Sequence, residues 1–243
     1  MKMTHAILVF AGIVLVSTIV LGDAYKKRNR RQGSITVTGL SEKNFTSDLI
    51  VWEGRFSANN YNLQSAFEIL KSSKNKITKY LTDKGLASDS FLFTAVSTNE
   101  LTEAIYGPEG EFQGRKFTGY ELNQGVVISS SDVGKIEIIS REITELLNLG
   151  VQLYSGEPRY YYTKLEELKI DMISIATENA RLRAETIAEN SGSDLGDLID
   201  GKMGIFQIIG QYSGEDYSWG GTYNTSSKDK TATITMKLEY EVH

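Results

Sequence analysis

A row of four alanines constrains this chain more than any other feature. In the stretch LEELKIDMISIATENARLRAETIAEN, from Leu165 to Asn190, Ala176, Ala180, Ala184 and Ala188 recur at every fourth residue. On an α-helix that spacing stacks four methyls on one face. Leu168, Met172, Ile173 and Ile187 flank the row and widen it into a stripe expected to be buried. Glu178, Arg181, Arg183, Glu185 and Glu189 mark the side expected to meet water. Small side chains let a sheet or a second helix approach the backbone closely, so the C-terminal half of the chain is expected to fold around this helix.

The elements before and after it follow from periodicity. Short alternating strands are expected from Ile35 to Thr38 and from Leu49 to Ala58. Leu63, Ala66, Phe67, Leu70, Ile77 and Leu81 then keep helical spacing, and Gly85 closes that helix. Strands from Phe91 to Tyr106 and from Phe117 to Ser130 flank a turn holding Gly107, Pro108, Gly110 and Gly114, which predicts a hairpin. Asp132 caps a helix running from Val133 to Leu149, stopped by Gly150. A strand from Val151 to Tyr162, the alanine helix, and strands from Leu198 to Tyr212 and from Thr231 to Val242 complete the order. The expected fold class is α+β, with antiparallel sheets backed by helices, and the element order fits a βαββ unit used twice.

The N-terminus is read separately. From Ala6 to Gly22 the chain is uncharged and apolar. As a helix this run is about 26 Å long, against a bilayer core of about 30 Å. It is expected to be an uncleaved transmembrane anchor, with a cleaved signal peptide as the competing reading. Residues 1–33 thus form an anchor with a basic juxtamembrane segment, and residues 34–243 form the folded domain. Lys26, Lys27, Arg28, Arg30 and Arg31 follow the run and outweigh Lys2 before it. Taken alone, the positive-inside rule puts the large domain in the cytoplasm.

Composition removes whole classes of chemistry. The chain has no cysteine, so thiol catalysis, disulfides and iron–sulfur ligation are excluded. Its two histidines, His5 and His243, lie near the ends, which makes a catalytic triad or a His-ligated zinc site a poor fit. A net charge of −5 argues against a nucleic-acid partner. No cofactor and no metal are expected.

The remaining motifs have plain explanations. The stretch from Gly196 to Lys202 has the spacing of a phosphate loop, but Met203 stands where a Ser or Thr would bind magnesium, and Asp197 and Asp200 would repel phosphate. It is read as a turn into a strand. Ser226-Ser227-Lys228 resembles a Ser/Lys nucleophile pair, yet that needs a desolvated lysine, and the adjacent Asp229 and Lys230 read as solvated. Glu178–Arg181 and Arg181–Glu185 read as solvated pairs. Tyr160, Tyr161 and Tyr162 read as strand packing. No enzymatic activity is expected.

The loop from Gly214 to Lys230, GEDYSWGGTYNTSSKDK, is long for a link between two strands. Tyr217, Trp219 and Tyr223 are residue types that anchor interfaces, and Gly220 and Gly221 permit a tight bend that presents Trp219. The loop is expected to dock on a neighbouring subunit. The alternative is that Trp219 folds back over its own sheet.

Several of these residues together resemble the SIMPL-domain family. They are Ile35-Thr36-Val37-Thr38-Gly39-Leu40-Ser41-Glu42, Gly119-Tyr120 with the strand from Val126 to Ser130, and Asp132-Val133-Gly134-Lys135-Ile136. The run from Asn179 to Ala188 resembles the family's alanine-rich helix, with Gly192 and Leu195-Gly196 at its exit. Tyr217-Ser218-Trp219-Gly220-Gly221 and Asn224-Thr225-Ser226-Ser227-Lys228 resemble a loop of a membrane-anchored bacterial branch. The resemblance implies an envelope-associated protein facing the periplasm. It also implies a homo-oligomer, since relatives assemble into rings, and a link to stress, but it brings no catalytic residues. The expected function is a non-enzymatic, self-assembling, membrane-anchored envelope protein; the alternative is a periplasmic binding module for a small ligand or peptide.

Overall fold

Residues 12, 14–22, 33–216 and 218–243 are described by the computed structural model. The strands are β1 (Gly33–Thr46), β2 (Leu49–Asn60), β3 (Phe91–Phe93), β4 (Ser97–Tyr106), β5 (Phe112–Ser130), β6 (Gln152–Ser155), β7 (Arg159–Tyr161), β8 (Leu195–Met203), β9 (Gln207–Gly210) and β10 (Asp229–Val242). The helices labelled here are α1 (Leu63–Asp83), α2 (Val133–Glu142) and α3 (Leu165–Asn190), and a 3-10 helix, Ile143–Leu149, follows α2. The class is α+β with antiparallel sheets, as the periodicity predicts.

Within the expected span from Ala6 to Gly22, residues 12 and 14–22 are helical, and the Thr18 hydroxyl donates to the Val14 carbonyl at 2.7 Å. Residues 6–11 and 13, and the basic cluster from Lys26 to Arg31, lie outside the described residues. Among the described residues, no helix is long and apolar enough to cross a membrane.

The chain divides into two compact units, and β1, α3 and β10 each contribute residues to both. The larger comprises residues 42–172 and 205–233. Its sheet has the order β3-β5-β2-β6, with β4 also on β5 and β7 also on β2. The β2–β5 register runs unbroken from Ile50↔Ser130 to Asn60↔Tyr120. Alternation explains which face is covered. Ile50, Trp52, Phe56 and Ala58 of β2 and Leu122, Val126 and Ile128 of β5 are buried in one core with Leu70, Ile77 and Leu81 of α1 and Ile136 and Ile139 of α2. The Trp52 indole N–H is not orphaned there, since it donates to the Ser155 hydroxyl at 3.1 Å.

Side chains start α1 and α2. Asn62 accepts from the Ser65 amide at 3.1 Å, and Asp132 accepts from the Lys135 amide at 3.1 Å. Gly150, at φ 73°, ends the 3-10 helix. The helix expected from Val133 to Leu149 therefore tightens into 3-10 geometry over its last seven residues.

Beyond Tyr120, towards the hairpin tip, the β4–β5 hairpin has no third strand among the described residues, because β2 pairs with β5 only as far as that residue. Gly119 stands at the point of departure. Its φ is +145°, and a Cβ there would lie 2.9 Å from the Asn60 carbonyl oxygen. A register shift between Leu101 and Thr102 bends the ribbon at the same place.

The smaller unit comprises, among the described residues, 12, 14–22, 33–41, 173–204 and 234–243. β8 pairs antiparallel with β10, from Met236↔Met203 to Val242↔Leu195. Ala176, Ala180, Ala184 and Ala188 of α3 are fully buried, whereas Ile187, expected in the buried stripe, is about half exposed, since it lies off the alanine row. Ala180 and Ala184 share a core with Val37 of β1 and Leu238 and Tyr240 of β10. Two bonds tie β1 to the helix: the Leu40 amide donates to the Asn179 side chain at 3.2 Å, and Arg183 donates to the Thr38 carbonyl at 2.8 Å.

Candidate functional site

The loop between β9 and β10 is held in place by side chains that sequence reading passed over. β9 pairs antiparallel with β10 from Thr233↔Gln207 to Lys230↔Gly210. The Gln207 amide then reaches into the loop in both directions, donating to the Ser218 carbonyl and accepting from the Thr222 amide, each at 2.7 Å. The Ile208 amide donates to the Thr222 carbonyl at 2.7 Å, and the Ile208 carbonyl accepts from the Asn224 amide at 2.9 Å. Asn224 also accepts from the Ser227 amide at 2.8 Å, and its side chain donates to Glu215.

Lys230 lies at the centre of this arrangement and is fully buried. Its ammonium donates to the Asn224 carbonyl at 2.6 Å and the Tyr160 carbonyl at 3.0 Å, and sits 5.9 Å from the centre of the Tyr223 ring. Burial pushes its pKa down to about 8, opposed by the Glu215 carboxylate. The expectation that Lys230 is solvated is therefore corrected. The available signal was its phase: Lys230 alternates with the buried Ala232 and Ile234 on β10, the inward face.

Lys228, the lysine of the Ser/Lys pattern, pairs with Glu137 at 3.1 Å. The same carboxylate accepts from the Tyr160 hydroxyl at 2.9 Å. Burial, followed by that bond, pushes the Tyr160 pKa up to about 12.

What this scaffold presents is aromatic. Trp219 is 96 % exposed, in a bend closed by a bond from the Gly221 amide to the Ser218 carbonyl at 3.0 Å. Gly221 has φ +90°, a conformation that suits glycine, and open space surrounds Gly220. Tyr212 is 95 % exposed and carries a left-handed φ of 58° without being a glycine. Tyr223 is partly covered, with its ring 6.5 Å from that of Tyr161. Tyr217 lies outside the described residues. Trp219 is thus not folded back on the sheet, the alternative held open for it.

A second concavity lies on the sheet of the larger unit, on the side of β2 away from its buried Trp52 and Phe56. It is an open groove of about 930 Å³. Glu53, Arg55 and Ser57 of β2, Asn123 and Gly125 of β5, Thr94 and Tyr154 line it. Glu53 is paired with Arg159 at its rim. The strand expected from Phe91 to Tyr106 breaks here, because Thr94 turns onto Gly125, donating its amide at 2.9 Å and accepting the Gly125 amide on its hydroxyl at 2.8 Å.

The other stretches singled out have structural places. Residues 196–202 lie inside β8, and Lys202 pairs with Asp200 at 3.0 Å. Arg181 pairs with Glu185 at 2.8 Å on an exposed face of α3. Among the described residues, no group of three or more Asp, Glu or His side chains is arranged to hold a metal.

No curated protein matches the chain. A family model described as SIMPL, protein of unknown function (DUF541), matches residues 35–239. That match covers both units of the fold, and with it the chain belongs to the SIMPL family.

Proposed function

We propose that this SIMPL protein is a membrane-anchored envelope protein that acts without catalysis, by assembling with copies of itself into a ring-like homo-oligomer. One observation carries the reading: Trp219 is 96 % exposed on a loop whose backbone is pinned by Gln207, Asn224 and the buried Lys230. An indole left in water is costly for a monomer and useful at an interface. The apolar run from Ala6 to Gly22 is the proposed anchor, with the domain facing the periplasm. Its role there is structural or related to stress. The test is mass photometry of the detergent-purified chain, which should give one large discrete mass. A single species at 27.0 kDa plus the detergent would overturn the reading.

The groove of about 930 Å³ favours a second reading, a binding module for a small ligand or peptide. A thermal-shift screen separates the two. A ligand that raises the melting temperature of the wild type but not of an Arg55→Ala variant would support binding in the groove.

A further inference from the structure

The β4–β5 ribbon reaches away from its own sheet and is left uncovered. Residues 102–106 are all exposed, and Tyr106 and Phe112 stack edge to face at its tip, 64 % and 60 % exposed. A two-stranded ribbon in water is marginally stable at best, and aromatics at its tip add to the exposed apolar area.

The same unit carries an apolar pocket of about 590 Å³ at the ribbon's base. Leu63 and Phe67 of α1, Val96 and Leu122 form its apolar wall, and Phe67 is 50 % exposed. The tip cannot fill the pocket of its own chain. Thr98 lines the pocket and Tyr106 lies eight residues further along the same strand, a distance of about 26 Å.

Charge selects the occupant. From Tyr106 to Phe112 the tip carries Glu109 and Glu111 and no Lys or Arg; Arg115 and Lys116 lie further back on the ribbon, opposite Ala104 and Glu103. On α1, Lys74 lies over the Phe93 ring, Lys76 donates to the Leu149 carbonyl and Lys79 pairs with Asp83, while Lys71 lies one turn beyond Phe67 in the Leu63–Phe67 row. We propose that the ribbon tip of one copy seats Tyr106 and Phe112 in the Leu63–Phe67–Val96 pocket of a second copy, its glutamates facing Lys71 of α1. The proposal rests on the self-assembly reading and adds to it a contact distinct from Trp219.

The chain has no cysteine, so engineered thiols report cleanly. Full-length F67C and Y106C, purified in detergent with tags of different mass and each shown native by circular dichroism, are mixed and oxidised. K79C, about 18 Å along α1 from Phe67, replaces F67C in the control. The expected result is a mixed disulfide dimer at least fivefold more abundant with F67C than with K79C. Equal yields overturn the docking; if sedimentation still shows an oligomer, self-assembly stands without it. A chain that sediments as a monomer and forms no mixed disulfide overturns both. An intrachain disulfide in the double variant F67C/Y106C would show that the ribbon folds back, and also overturns the docking, since bridged Cα atoms lie within about 7 Å.

Discussion

Gly39 of β1 lies directly against Ala180 of α3: a Cβ on Gly39 would sit 2.8 Å from the Ala180 methyl and 2.0 Å from the Ala176 carbonyl oxygen. The atom it would strike first is helix backbone, which cannot rotate away. Gly39→Ala should therefore force strand and helix apart and destabilise the fold by at least ~1–3 kcal/mol. Ala184→Leu, one turn further along the row, should cost a similar amount. Urea denaturation measures both, and an unchanged midpoint for either variant would mean that the contact yields.

Lys230 makes a pH-dependent contribution whose sign can be worked out. Its folded-state pKa, about 8, lies below the ordinary lysine value of 10.5. Between those values the unfolded chain binds more protons, so this group makes the fold more stable as pH rises. The cost of burying the cation is fully present below about pH 8 and is relieved towards 10.5. Lys230→Met lacks this dependence and leaves the Tyr160 and Asn224 carbonyls without their donor, at roughly 1–3 kcal/mol. The melting-temperature advantage of the wild type over this variant should widen from pH 7 to pH 10. A constant gap would show that Lys230 titrates normally.

Trp219 offers a separation of assembly from folding. With 96 % of its surface in water, its truncation removes almost no packing, and the fold should change by less than ~0.5 kcal/mol. Trp219→Ala should keep native circular dichroism and shift the protein to smaller species in sedimentation velocity. Full retention of mass would remove the loop from the interface.

Topology is tested in spheroplasts. If the chain is anchored with its domain outside the inner membrane, added protease digests the domain at once. Protection that lasts until the membrane is permeabilised would place the domain in the cytoplasm, the side favoured by the charges from Lys26 to Arg31.

Where one physical signal acted alone, the sequence was readable. α3 spans Leu165–Asn190 because a 3.6-residue period and an uninterrupted helix-forming run agree there. β2 and β5 were legible from alternation, which burial of one face imposes. The breaks were not. The strand expected from Val151 to Tyr162 divides into β6 and β7, because Gly156 turns to donate to the Glu53 carbonyl and Pro158 has no amide to offer a ladder. The strand expected from Leu198 to Tyr212 divides at Gly204, whose amide goes to the Thr235 carbonyl. Such turns depend on partners distant in sequence. Lys230 differs: its phase with Ala232 and Ile234 pointed inward, but the charged residues beside it suggested solvent, and the return of Asn224 and Tyr160 to its ammonium is what encloses it.

β1 has its neighbour in β10, and the Ser34 hydroxyl meets the Glu239 carboxylate at 2.7 Å across 205 residues of chain. At a translation rate of ~5–20 residues per second, that separation corresponds to roughly 10–40 s of synthesis. For that interval a fourteen-residue strand has been made and its partner has not. A nascent chain of this kind carries an unpaired strand edge for most of its production, and over that interval the edge is open to pairing with other chains.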